Sequence, residues 1–144
     1  VAVVKEPAPA AAKEPASPAA KETADKQPEV PTLAERCTKA FNAHRTKDVL
    51  NLCSQAIEAS PSSASIAVML AKTELDRGRT KEALTWAQKA VAIDADIADA
   101  YVFIGMAEQE AGHTAAAKVA YKRYLQLAPK GKYAAEIRSV VSNM

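Results

Sequence analysis

The sequence predicts an all-α fold, an α-solenoid of three stacked helical hairpins with a capping helix, preceded by a disordered Pro/Ala-rich segment. Three observations predict it. From about Val30 to Gly131 a pattern returns every 34 residues, marked by Thr46, Thr80 and Thr114. Val49, Ala83 and Ala117 follow three positions later, and Ala56, Ala90 and Tyr124 follow ten positions later. A period of this length signals stacked supersecondary units. Inside each unit the apolar residues keep helical spacing on both sides of a short polar break. The first thirty residues have another composition, with Pro7, Pro9, Pro15, Pro18 and Pro28 among Ala, Lys and Glu and with no aromatic, Ile or Leu.

Residues 1–31 are therefore expected to be a disordered linker, because so few apolar side chains cannot offset the entropy of ordering the chain. Lys5-Glu6-Pro7, Lys13-Glu14-Pro15 and Lys21-Glu22-Thr23 give the segment a short period of its own. Mixed charge with Pro describes an extended spacer, on the order of 90 Å long in a polyproline-like state. The chain begins with Val, which suggests a processed protein or a piece of a longer one. Residues 32–144 are expected to fold, with repeats at about 30–63, 64–97 and 98–131 and a capping helix at about 132–143.

The first helix is expected just after Pro31, where Thr32-Leu33-Ala34-Glu35 has the form of a capping box. In the second unit Ile66, Met69, Leu70 and Thr73 follow helical spacing, Asp76-Arg77-Gly78-Arg79 breaks it, and Ala83, Leu84, Ala87, Ala90 and Val91 resume it. Gly78 and Gly112 suit the left-handed residue that ends a first helix, and Thr46, Thr80 and Thr114 are expected to N-cap the second helices. Pro61 and Pro129 close the first and third units. Beyond them Tyr133, Ile137, Val140, Val141 and Met144 form one apolar stripe, with Lys132, Glu136, Arg138 and Ser142 expected to face away from it. That pattern describes an amphipathic helix capping the stack.

The three units resemble tetratricopeptide repeats. The third carries Tyr101, Ile104, Gly105, Gly112, Ala117, Tyr121 and Pro129 where that family has its aromatic, Leu, Gly, turn Gly, Ala, aromatic and closing Pro. The second carries Leu70, Ala71, Gly78, Ala83 and Ala90 but has Ala67 and Ala95 at the first aromatic and closing positions. The first matches in size through Leu33, Cys37, Ala40, Val49, Cys53, Ala56 and Pro61, with His44 in place of the turn Gly. Small residues at Ala71, Gly105, Ala83 and Ala117 let the helices of a hairpin approach closely. Arg36 stands where the later units have Leu70 and Ile104, which marks the first unit as one with no repeat packed before it.

The repeat register sets Cys37 opposite Cys53, since the turn lies near His44 and Arg45 and the two positions are about equally far from it. The pair either forms a disulfide, which implies an oxidising compartment, or fills the hairpin core as two small hydrophobes. Two thiolates without further His or Cys do not close a zinc shell, so no metal and no cofactor is expected. His44 and His113 lie in inter-helix turns, with no Ser, Cys or carboxylate at a spacing that suggests a catalytic pair. With no phosphate loop or nucleophile elbow either, the sequence reads as non-enzymatic and without a small-molecule substrate. A net charge of +2 with interleaved signs argues against nucleic acid, and no apolar run is long enough to span a membrane. Membrane association is expected only through an anchor upstream.

In the tetratricopeptide family the first helix of each repeat lines a concave binding face. The resemblance places Phe41 there, with Val68, Met69, Lys72 and Leu75 from the second unit and Val102, Phe103, Met106 and Gln109 from the third. Exposed apolar residues with Met describe an adaptable surface for a peptide or helix, unless several turn inward or are covered by a neighbouring chain. Relatives that bind chaperone tails use a clamp of Lys, Asn and Arg; only Lys72 is basic here, which argues against that function. The sequence thus reads as a scaffold or adaptor for a protein or peptide partner, in assembly of a bacterial envelope complex at the periplasm or cell surface, with the cytoplasm as the alternative. Two other readings stand beside it. One is the C-terminal interaction or sensor domain of a larger bacterial signalling protein such as a membrane-bound kinase. The other is a homo-oligomerisation module, the chain then being a weak homodimer rather than a monomer.

Overall fold

The computed structural model describes residues 30–144, and the expected linker lies almost wholly outside them. Seven helices and no strands occur among the described residues. They are α1 (Leu33–Asn42), α2 (Thr46–Ala59), α3 (Ala64–Asp76), α4 (Thr80–Ile93), α5 (Ala98–Glu110), α6 (Thr114–Leu127) and α7 (Ala134–Asn143). Consecutive pairs form three hairpins, each second helix packs on the next hairpin, and α7 packs on α6. The first helices α1, α3 and α5 neighbour one another, whereas α2, α4 and α6 do not. The stack therefore curves with its first helices on the inner side.

Local chemistry sets the helix ends. At the start of α1 the Thr32 hydroxyl accepts from the Glu35 N–H at 3.2 Å, and the Thr32 N–H donates to the Glu35 carboxylate at 2.8 Å, completing the expected capping box. All three hairpin turns share one closure. The N–H groups of Arg45, Arg79 and His113 reach back to the carbonyls of Ala40, Glu74 and Glu108, and those of His44, Gly78 and Gly112 to Phe41, Leu75 and Gln109. This double bond pattern requires a left-handed residue inside it. Gly78 and Gly112 have φ of 72° and 82°, and His44 takes the same role at 53°.

The same closure displaces the expected caps. Arg45, Arg79 and His113 already give their carbonyls to the first helical bonds, from Val49, Ala83 and Ala117. Thr46, Thr80 and Thr114 are therefore the first helical residues, one position too late to act as N-caps, and no side chain caps these three helices. Acids in the first turn complement two of the ends instead, Asp48 lying 3.2 Å from Arg45 and Glu82 3.7 Å from Arg79. Both pairs are exposed, so each contributes at most about 1 kcal/mol.

Two apolar clusters run through the stack and meet at Val68 and Trp86, which pack against both. The first joins hairpins one and two. Cys37 and Cys53 are fully buried in it and disulfide-bonded, with Cα atoms 4.9 Å apart, so they act both as a covalent link and as core. The second cluster joins hairpins two and three to α7. Ala71, Ala83, Gly105 and Ala117 are all buried, and a methyl on Gly105 would collide with the Tyr121 ring. Arg36 is exposed, while Leu70 is buried and Ile104 half-buried one and two repeats later.

The helix expected at about 132–143 begins at Ala134, and its stripe of Tyr133, Ile137, Val140, Val141 and Met144 packs on the second cluster. Its entry is pinned by the Tyr133 N–H, which donates to the Tyr124 hydroxyl at 3.0 Å.

Candidate functional site

Because α1, α3 and α5 lie side by side, their inward-facing side chains form one continuous surface, and two of the hollows along it are walled by more than one helix. One lies where α3 faces the end of α1 and the start of α5. Phe41, Ser65, Val68, Met69 and Lys72 line it together with Ile97, Asp99 and Phe103, and its volume is about 320 Å³. Phe41, Val68 and Met69 are half-buried, consistent with side chains that pack on the core and still show a face. The Met69 Sδ touches the Cys37 Sγ at 3.9 Å, so this wall rests on the disulfide. Lysines at the rim are each held by an acid: Lys72 binds Asp76 at 2.9 Å, and Lys132 binds Asp99 at 3.2 Å. Burial pulls the Lys132 ammonium down, but the Asp99 carboxylate and Tyr133 outweigh it and leave its pKa raised.

The second hollow, about 390 Å³, lies between α5 and α7. It exists because α7 packs on α6 and does not come as close to α5 as α3 does. Val102, Tyr121 and Ile137 are its buried floor, Met106 and Val140 its apolar walls, and Gln109, Glu110 and Glu136 its polar rim. The Tyr121 hydroxyl donates to the Gln109 side-chain oxygen at 2.9 Å. Burial first, then the charges of Glu136 and Glu110, push the Tyr121 phenol above its ordinary value.

The structure separates the sequence-derived site residues into three groups. Phe41, Val68, Met69 and Lys72 come together at the first hollow, and Met106 and Gln109 stand at the second, Met106 being 40% exposed. Val102 and Phe103 are only 2% and 3% exposed, so they are floor and core, not free surface. The reason is α7, which sets Tyr133 edge-on to Phe103 with ring centroids 6.3 Å apart and brings Ile137 into the same cluster. Leu75 packs, half-buried, against the second cluster.

Sequence reasoning missed the contribution of α7. Glu136, expected to face away from the stack, lines the second hollow, and Lys132 reaches the first. The repeat contained the signal: 34 residues beyond Asp99, Val102 and Met106 stand Tyr133, Glu136 and Val140, so α7 occupies the place of the first helix of a fourth hairpin. The sequence reading found no carboxylate spaced from His113 as in a catalytic pair, and it did not foresee the acid that the turn supplies. The hairpin closure brings the Glu108 carboxylate to 2.7 Å from its Nδ1, on an exposed turn. Among the described residues no group of three or more His, Cys, Asp and Glu is placed to hold a metal ion, and no helix is long and apolar enough to cross a membrane.

Two family models described as Tetratricopeptide repeat match residues 40–107 and 98–130, together well over half of the chain. Among solved structures the chain is similar to the Arabidopsis OM64 TPR domain, with a TM-score of 0.71 and 22% identity over 77% of this chain and 92% of that one. The second TPR domain of human RPAP3, in complex with the HSP70 peptide SGPTIEEVD, superimposes with a TM-score of 0.68 and 21% identity, over 77% and 92% of the two chains. The Yersinia enterocolitica type III secretion translocator chaperone SycD has a TM-score of 0.71 at 10% identity, over 77% and 79%. A search of curated proteins finds no match to this chain.

Proposed function

The chain belongs to the tetratricopeptide-repeat family, and from that we propose that it is a non-enzymatic scaffold that holds a peptide or helix of a partner protein along the inner face of α1, α3 and α5. The observation that carries this reading is the pair of hollows on that face, both walled by half-buried or exposed apolar side chains with Met at each. A methionine-lined surface repacks around different side chains at low cost. The similar RPAP3 domain, which holds an HSP70 peptide, supports peptide capture as the mode. An acidic peptide end such as EEVD is a poor match here, because Lys72 and Lys132 are already paired with Asp76 and Asp99.

Ser65 is exposed at the edge of the first hollow, so Ser65→Arg fills the groove without touching the core. The variant is expected to keep its helical circular dichroism and to lose the proteins that the immobilised wild-type chain retains from its native extract. Unchanged retention counts against the inner face. The Cys37–Cys53 bond supports placement in an oxidising compartment, and with it a role in assembling an envelope complex. Full alkylation of both thiols, in protein taken from its native compartment without reductant, would overturn that placement.

A further inference from the structure

We infer that the cleft between α5 and α7 is a subsite for one cationic side chain of the partner, a lysine or arginine carried among apolar residues, with its charge held between Glu110 and Glu136. The inference deepens the reading of the inner face as the binding surface and rests on it. Three observations lead to it. The floor and walls are apolar, with Val102, Tyr121 and Ile137 buried beneath and Met106 exposed at the side, which suits the methylene stem of a long side chain. The mouth carries two carboxylates, and neither has a Lys, Arg or His nitrogen within 4.0 Å among the described residues. One oxygen of Glu110 accepts from the Thr80 hydroxyl at 2.5 Å, which fixes the group while its second oxygen makes no bond among the described residues.

The other hollow makes the contrast. There each lysine has its own acid, whereas here two acids share a cleft that holds no cation among the described residues. Two cations at and just before α7 are engaged elsewhere, Lys132 by Asp99 and Arg138 by the Pro129 carbonyl. The field inside is negative enough that both glutamates oppose ionisation of Tyr121. An anionic side chain would be repelled from such a cleft. A neutral apolar one would cover two carboxylates and leave them unpaired, which is costly away from water. A cation on an aliphatic stem satisfies floor and mouth together.

The test titrates the full chain with two synthetic amphipathic helical peptides, capped at both ends and identical except that the polar positions are all Lys in one and all Glu in the other. The Leu/Lys peptide is expected to bind, with amide shifts centred on Met106, Gln109, Glu136 and Val140, and the Leu/Glu peptide is not. Glu110→Gln and Glu136→Gln are each expected to weaken the Leu/Lys peptide by about tenfold while leaving the circular dichroism unchanged. Equal binding of the two peptides, binding of neither, shifts centred elsewhere, or glutamine variants that bind like wild type would each overturn the subsite. Ser65→Arg, at the other hollow, separates the two ideas. Its failure to block partner capture counts against the groove, and failure of the glutamine variants counts against the cleft.

Discussion

His44 does with a side chain what Gly78 and Gly112 do without one, since the hairpin closure needs a left-handed residue at all three places. For an L-residue that conformation crowds Cβ against the following carbonyl, while Gly adopts it freely at some cost in unfolded-state entropy. His44→Gly is therefore expected to raise the unfolding free energy by about 0.5–1 kcal/mol in urea titrations. His44→Val, β-branched and poorly suited to positive φ, is expected to lower it. At this scale the sequence was legible where a residue type has one use: a Gly before the second helix of hairpins two and three, or Thr and Glu spaced as a capping box. It was misread where the backbone decides. The carbonyl one residue before Thr46, Thr80 and Thr114 starts each helix, and no property of threonine reveals that shift. Phe103 was misread for a related reason, because its burial depends on Tyr133, thirty residues away in the chain.

Hairpin one is the element with the least regular repeat pattern, and it is the one closed covalently. The Cys37–Cys53 bond spans 16 residues and removes chain entropy from the unfolded state. In that account reduction costs the hairpin about 3 kcal/mol. Hydrogen exchange after reduction is expected to show α1 and α2 opening first while α5 and α6 keep their protection; uniform loss of protection would mean that the bond serves the whole stack equally. The closeness of the two cysteines was readable in the sequence, because the repeat register sets them on facing sides of the hairpin at about equal distance from its turn, while the bond itself was left open there against two unbonded core thiols. The 34-residue register could have named the α7 residues that line the cleft between α5 and α7, but not the cleft itself, which arises from how far α7 stands from α5.

Across the whole molecule stability is shared between neighbours, so the last hairpin depends on its cap. The Tyr124 hydroxyl, the Phe103 edge and Ile137 tie α7 to α5 and α6. A chain ending at Gly131 would expose Val102, Phe103, Tyr121 and Tyr124 at once, and is expected to bind a hydrophobic dye and to unfold less cooperatively than the intact chain, as calorimetry would show. A dye-silent, fully cooperative truncation would contradict this dependence. The disulfide has a mechanical consequence as well. A pull on the chain ahead of α1 enters the fold at Leu33 and meets Cys37 four residues on. From there the load crosses the sulfur bridge to Cys53 in the middle of α2, and the strand between the two cysteines is shielded from it. The first hairpin can thus bear tension as a clasp, whose slack is limited to the few residues before the bridge.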